Sequence, residues 1–171
     1  MKRSVLIMLM LLATLIDHDA AAEKTDFKII RLQGRVVASP CVVEQQSINV
    51  NLGDNIKMSD LATAGSFTPW VAFSIRIYNC PQQTSLSTIT FNGTADNSDP
   101  DFRYQNSGTA TGVAIELLAE DGTPLGNAKS LTSAITNQEY TWNLRTRAWT
   151  ESGSVRPGTV SAVISATLTY Q

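Results

Sequence analysis

The sequence predicts an all-β domain, a sandwich of two sheets. Three observations carry that prediction. Apolar and polar residues alternate with a period of two in run after run, turn-forming residues separate the runs, and the chain holds a single pair of cysteines. No internal repeat or low-complexity block interrupts the pattern.

The first stretch stands apart from that domain. Lys2 and Arg3 form a positive start, Val5 to Ile16 is almost unbroken apolar sequence, and Ala20-Ala21-Ala22 supplies small residues for a cleavage site. This is the layout of an export signal, with the cut expected after Ala22. The polar residues Asp17, His18 and Asp19 leave room for a site one or two residues away. As a membrane anchor the run is too short, since about 20 apolar residues are needed to span a bilayer. Removing the leader takes away Lys2, Arg3, Asp17 and Asp19, so the net charge of −2 does not change. That balance points neither to nucleic acid nor to an anionic membrane surface.

Glu23 to Gln33 follows the leader and reads as extended chain. Phe27, Ile29, Ile30 and Leu32 are too many apolar residues for a solvated tail. Two registers are open. One face carries Ile30 and Leu32 with Asp26 and Lys28, and the other carries Phe27 and Ile29 with Arg31 and Gln33. On pattern alone the segment is simply a first strand of the same domain.

Seven runs come next. Gly34 to Ala38 is short and β-prone. Ile48, Val50 and Leu52 alternate with Asn49 and Asn51, as expected of a half-buried strand. Phe73, Ile75 and Ile77 repeat the pattern, then Ile89 and Phe91, then Val113, Ile115 and Leu117. Trp142, Leu144 and Thr146 suggest a sixth strand. Ala162, Ile164, Ala166, Leu168 and Tyr170 make a seventh. Asn92-Gly93, Asp99-Pro100, Asp121-Gly122, Ser152-Gly153 and Pro157-Gly158 supply turns. Asp121-Gly122 between Leu117 and Leu125 is a hairpin candidate. Met58, Leu61 and Ala64 have the spacing of a brief helical turn.

Cys41 and Cys80, an even pair in an exported chain, read as a disulfide. Closing that loop stabilises by roughly 4 kcal/mol in the chain-entropy model. The only histidine is His18, in the leader, so the remaining chain holds no Ser-His or Cys-His machinery. No acid/base carboxylate signature and no phosphate loop is present, and the expectation is no enzyme and no cofactor. Asp96, Asn97, Asp99 and Asp101 gather oxygens in one loop, but their spacing matches no calcium loop, so they read as a solvated turn and no metal is expected. Trp70, Trp142, Trp149 and Tyr104 are the aromatic groups that could line a sugar site, with Trp142 read as core and Trp149 as exposed.

Several motifs in order carry a resemblance. Gly34-Arg35-Val36-Val37 is followed by Cys41, and Phe73, Ile75 and Ile77 lead to Cys80. Phe91, Gly93, Ala95 and Asp96 come next, then Gly112, Val113 and Ile115 with Asp121 and Gly122. The end reads Val155, Gly158, Ala162, Ile164, Ala166, Leu168, Tyr170, Gln171. In order, spacing and terminal position these match the type 1 fimbrial pilin family, and the chain resembles it across essentially its whole mature length. The resemblance implies an incomplete immunoglobulin-like β-sandwich that lacks its last strand and carries an N-terminal donor-strand extension. The layout would be a signal peptide at 1–22, the extension at 23–33 and the pilin domain at 34–171. It implies a structural subunit, a minor pilin of a chaperone–usher fimbria, polymerising by donor-strand exchange and supporting cell adhesion. The implied partners are a periplasmic pilus chaperone, an outer-membrane usher and neighbouring pilin subunits, on a path through the periplasm to the surface fimbrium.

By the same resemblance Phe27, Ile29, Ile30 and Leu32 belong to the donor strand. Ile164, Leu168 and Tyr170 form the groove wall, and the carboxylate of Gln171 anchors the chaperone. The family's donor strand carries a small residue near its middle. With Ile30 and Leu32 inward that place falls on Lys28, a departure that leaves the register open. The competing expectation is a single-domain adhesin of the same fold that binds a surface glycan.

Overall fold

The computed structural model describes Gln33 and residues 40–171. The chain divides into two units, Met1–Val36 and Val37–Gln171, and of the first only Gln33 is described. The leader, the apolar segment at Phe27, Ile29, Ile30 and Leu32, and the expected strand at Gly34–Ala38 lie outside the described residues.

Eight strands are found among the described residues. They are β1 (Val42–Val43), β2 (Val71–Tyr78), β3 (Leu86–Asn92), β4 (Arg103–Gln105), β5 (Ala114–Ala119), β6 (Lys129–Ala134), β7 (Tyr140–Trp149) and β8 (Ser165–Tyr170). A single 3-10 turn at Met58–Leu61 sits where the helical spacing was read. One sheet runs β1-β2-β7-β5-β4 and the other β6-β3-β8, with every pairing antiparallel.

Period-2 alternation decides which residues face the core. In the larger sheet Phe73 and Ile75 of β2 lie opposite Leu144 and Trp142 of β7. Ile115 and Leu117 of β5 lie opposite Ala148 and Thr146. In the smaller sheet Ser87, Ile89 and Phe91 of β3 point inward and are 0%, 0% and 2% exposed. Burying such side chains contributes roughly 25 cal/mol per Å² of apolar surface, which holds the two sheets together. Cys41 and Cys80 are bonded, as expected, and join the residue just before β1 to the second residue after β2.

The Asp121-Gly122 hairpin is present. Gly122 has φ of +95°, a conformation glycine reaches without strain, and its N–H donates to the Ala119 carbonyl at 3.0 Å. The Asp121 carboxylate accepts from the Thr123 N–H at 2.9 Å, and that bond is the main reason its pKa lies below the usual carboxylate value.

One expected strand differs. Ile48, Val50 and Leu52 are half-buried and alternate with exposed Ser47, Asn49 and Asn51, yet the segment pairs with no strand among the described residues. The alternation was read correctly as one buried face, but the backbone partner that would make it a ladder is not among those residues.

Candidate polymerisation groove

β8 is an edge strand. On one side it pairs with β3 from Asn92↔Ser165 to Ser87↔Tyr170, and on the other it has no partner among the described residues. Its inward row continues the row before it: Ala162, Ile164, Leu168 and Tyr170 all pack on the main core, yet each stays half-buried, and Ala166 is exposed. Val163, just before β8, is 82% exposed. The contrast with β3, one strand away and fully covered, locates the opening. Among the described residues no strand lies beyond β8 to cover that inner face.

A second wall faces the same core. Ile48 packs on the main cluster that Ala162 to Tyr170 touch, and Ile56 packs on a smaller cluster of Leu61, Val113 and Ala148 that Val155 and Val160 touch. Segment 48–56 therefore passes along the two clusters in the opposite chain direction to segment 155–170. The two walls do not pair with each other. Along segment 48–56 the hydrogen bonds found among the described residues are local, Gly53 N–H to the Asn51 side chain at 2.8 Å and the Asn51 amide to Asp54 at 2.9 Å. Both segments leave backbone N–H and C=O groups without partners among the described residues, and such groups can template another chain.

The expected wall residues Ile164, Leu168 and Tyr170 are brought together on this row. Burial raises the phenol pKa of Tyr170. Gln171 is placed at the same end, but it is already engaged. Its N–H donates to the Leu86 carbonyl at 2.9 Å, and its backbone oxygen accepts from Ser85 at 2.7 Å and Leu86 at 3.0 Å. Ile48, Val50 and Leu52, read from sequence as an ordinary half-buried strand, form a second half-buried row with no partner strand among the described residues. Their signal was the alternation itself, which reports a buried face but not the partner.

The remaining candidates separate. Trp142 is core, and Tyr104 is buried with its hydroxyl donating to the Leu125 carbonyl at 2.8 Å. On the outer face of the larger sheet Arg147 lies over both Phe67 (3.6 Å) and Trp70 (4.0 Å), with Arg145 over Trp70 at 4.7 Å. Arg103 covers Trp149 at 3.4 Å. Buried Glu116 accepts from Arg147 at 2.5 Å and lies 3.9 Å from Arg103. In the acidic loop Asp96 accepts from Ser98, Asp99 pairs with Arg103 and Asp101 with Lys129, so these carboxylates have partners of their own.

A family model described as fimbrial protein matches residues 30–171. This chain belongs to the fimbrial protein family. It is 36% identical to protein FimG of Escherichia coli (strain K12) over 143 residues, 82% of this chain and 83% of that protein. It is 37% identical to the S-fimbrial adhesin protein SfaS of Escherichia coli O6:K15:H31 (strain 536 / UPEC) over 143 residues, with 82% and 83% covered. Among solved structures the P pilus rod subunit PapA is similar in fold, with a TM-score of 0.66 at 21% identity over 78% of this chain and 100% of that one. The P pilus adaptor subunit PapF gives a TM-score of 0.55 at 22% identity over 80% and 100%. The fimbrial chain is thus a structural pilus subunit with the immunoglobulin-like sandwich of pilins, and its place is the cell-surface pilus. The family is one of structural subunits rather than enzymes.

Proposed function

We propose that this pilin is finished by a strand from another molecule. A neighbouring subunit's extension at 23–33, through Phe27, Ile29, Ile30 and Leu32, enters the slot between Ile48–Leu52 and Ile164–Tyr170. Adding a strand in trans satisfies both free edges and covers the apolar row, the β-augmentation mode. Each subunit accepts at one place and donates at another, so the contact is head-to-tail and extends into a fibre. Before assembly a periplasmic chaperone fills the same slot and contacts Gln171 through whatever capacity Ser85 and Leu86 leave free. An outer-membrane usher then exchanges it for the next subunit. The leader at 1–22 directs export, the pilin domain begins at 34, and the role is that of a minor pilin.

The single observation that carries this reading is the half-covered inner row of β8 beside an unpaired backbone. The test is soluble yield of the exported chain with and without a pilus chaperone, and with the 23–33 segment fused after Gln171 through a flexible linker. The expected result is poor yield alone and rescue by either partner. A protease-resistant monomer in high yield without chaperone or fused segment would overturn the proposal.

A further inference from the structure

Asn92-Gly93 is the only Asn-Gly step in the sequence. It lies at the end of β3, and Asn92 is exposed to water. An asparagine before glycine readily loses its side-chain amide, because no Cβ on the next residue shields the backbone nitrogen that attacks it. We propose that Asn92 is a latent deamidation site, and that the side chain of Asn127 holds it in check.

The reaction depends on the Gly93 nitrogen. That nitrogen must give up its proton and bond to Asn92 Cγ. The Cγ–Nδ2 bond then breaks and ammonia leaves with the proton, closing a succinimide ring. Water opens the ring at Cγ to give aspartate, or at the backbone carbonyl carbon to give isoaspartate. Overall a water is consumed and an ammonia released, with no oxidant or reductant. In the folded chain the proton is already engaged, because Gly93 N–H donates to Asn127 Oδ1 at 3.1 Å. A donated proton is harder to remove, and it turns the nitrogen toward Asn127 instead of Asn92. Asn92 also pairs with Ser165, which keeps its backbone extended and away from the ring-closing geometry.

The guard is itself anchored. On one side Ala128 N–H donates to the Phe91 carbonyl at 2.8 Å, next to the step it protects. On the other, Gly126 N–H donates to the Asp101 carbonyl at 2.8 Å, and Lys129 pairs with the Asp101 carboxylate at 2.8 Å. The hazard cannot be removed at residue 93. A Cβ there would lie 2.8 Å from the ring of Tyr104. That ring is buried, and its hydroxyl is held by the Leu125 carbonyl, so it has no room to yield. Glycine must follow Asn92, and protection comes from Asn127 instead. The converted residue would lie opposite Ser165, the first residue of β8. Isoaspartate routes the main chain through the side chain and adds a carbon to it, so ageing would strike where the half-covered strand starts.

The test follows the full exported chain, chaperone-bound or with the 23–33 segment fused after Gln171, through incubation at mildly alkaline pH. Peptide mass spectrometry reads conversion at residue 92, and a synthetic peptide spanning Thr88–Asp96 is the unguarded reference. The folded chain is expected to convert at least about tenfold more slowly than the peptide. Asn127→Ala is expected to speed conversion about fivefold, the rate equivalent of a single hydrogen bond. Asn127→Asp keeps an acceptor oxygen and is expected to stay near the parent rate. Equal rates in chain and peptide, a folded Asn127→Ala chain no faster than the parent, or Asn127→Asp as fast as Asn127→Ala would overturn the proposal. Should Asn127→Ala fail to fold, hydrogen exchange at the Gly93 amide of the parent decides. Protection there supports the guard, and exchange at the peptide's rate overturns it.

Discussion

β5 and β8 are both strands of the sandwich and meet opposite fates. Every residue of β5 from Ala114 to Ala119 is buried, while no residue of β8 from Ser165 to Tyr170 is. β5 lies between β7 and β4, with Ile115 and Leu117 turned to the core. Its outer residues Ala114, Glu116 and Leu118 lie opposite Trp149, Arg147 and Arg145, the strand that carries the stacked arginines. β8 has no second neighbour among the described residues. β5 (AIELLA) is also more apolar than β8 (SATLTY), so position within the sheet and composition act in the same direction.

The largest expected effect breaks the closed side. Leu117→Ala should cost about 2–5 kcal/mol in urea unfolding. The loss should be the same whether or not the slot is filled, because β5 does not touch it. Replacing both Cys41 and Cys80 with serine should cost about 2–4 kcal/mol, read as a lower denaturation midpoint than that of the oxidised parent. Leu168→Ala sharpens the contrast. In the open subunit it should cost only about 1 kcal/mol, since the side chain is half-buried, but the loss should grow once a complementing strand covers it. Equal losses in the two states would argue that β8 is already complete.

The smallest effect is set by pH. Burial raises the phenol pKa of Tyr104 and Tyr170 above the ordinary tyrosine value. A raised folded-state pKa means that the folded chain holds the proton more tightly. The contribution is therefore full below about pH 10 and lost as pH climbs from there through the folded values. Unfolding midpoints measured from pH 8 upward should fall in that window, and Tyr170→Phe should remove part of the fall. Filling the slot should enlarge the Tyr170 share.

Much of this architecture was legible because alternation directly reports a buried face. β2, β3, β5, β7 and β8 sit where Phe73–Ile77, Ile89–Phe91, Val113–Leu117, Trp142–Thr146 and Ala162–Tyr170 placed them. β6 was missed because Leu131 is its only large apolar residue, and its hydroxyl-rich sequence gives no contrast between faces. β4 is three residues long, too short to show a period, and it exists because Tyr104 is pinned beneath it by Leu125. The slot was half legible. The β8 row was visible, but the role of Ile48–Leu52 depends on which backbone lies beside it, and local pattern holds no information about that. The stacks on Trp70 and Trp149 were hidden for a related reason, since cross-strand register brings distant arginines over those rings.

The disulfide at Cys41 also acts as a tether point. Leu32 lies nine residues upstream of it, a span of about 30 Å even at full stretch. On the proposed donor reading, a neighbour gripping that leucine could drift no farther than this leash allows from the bridge. Successive subunits in a fibre would therefore keep a tightly limited spacing, and lengthening the stretch between Gln33 and Cys41 would loosen the fibre without altering a single contact within the slot.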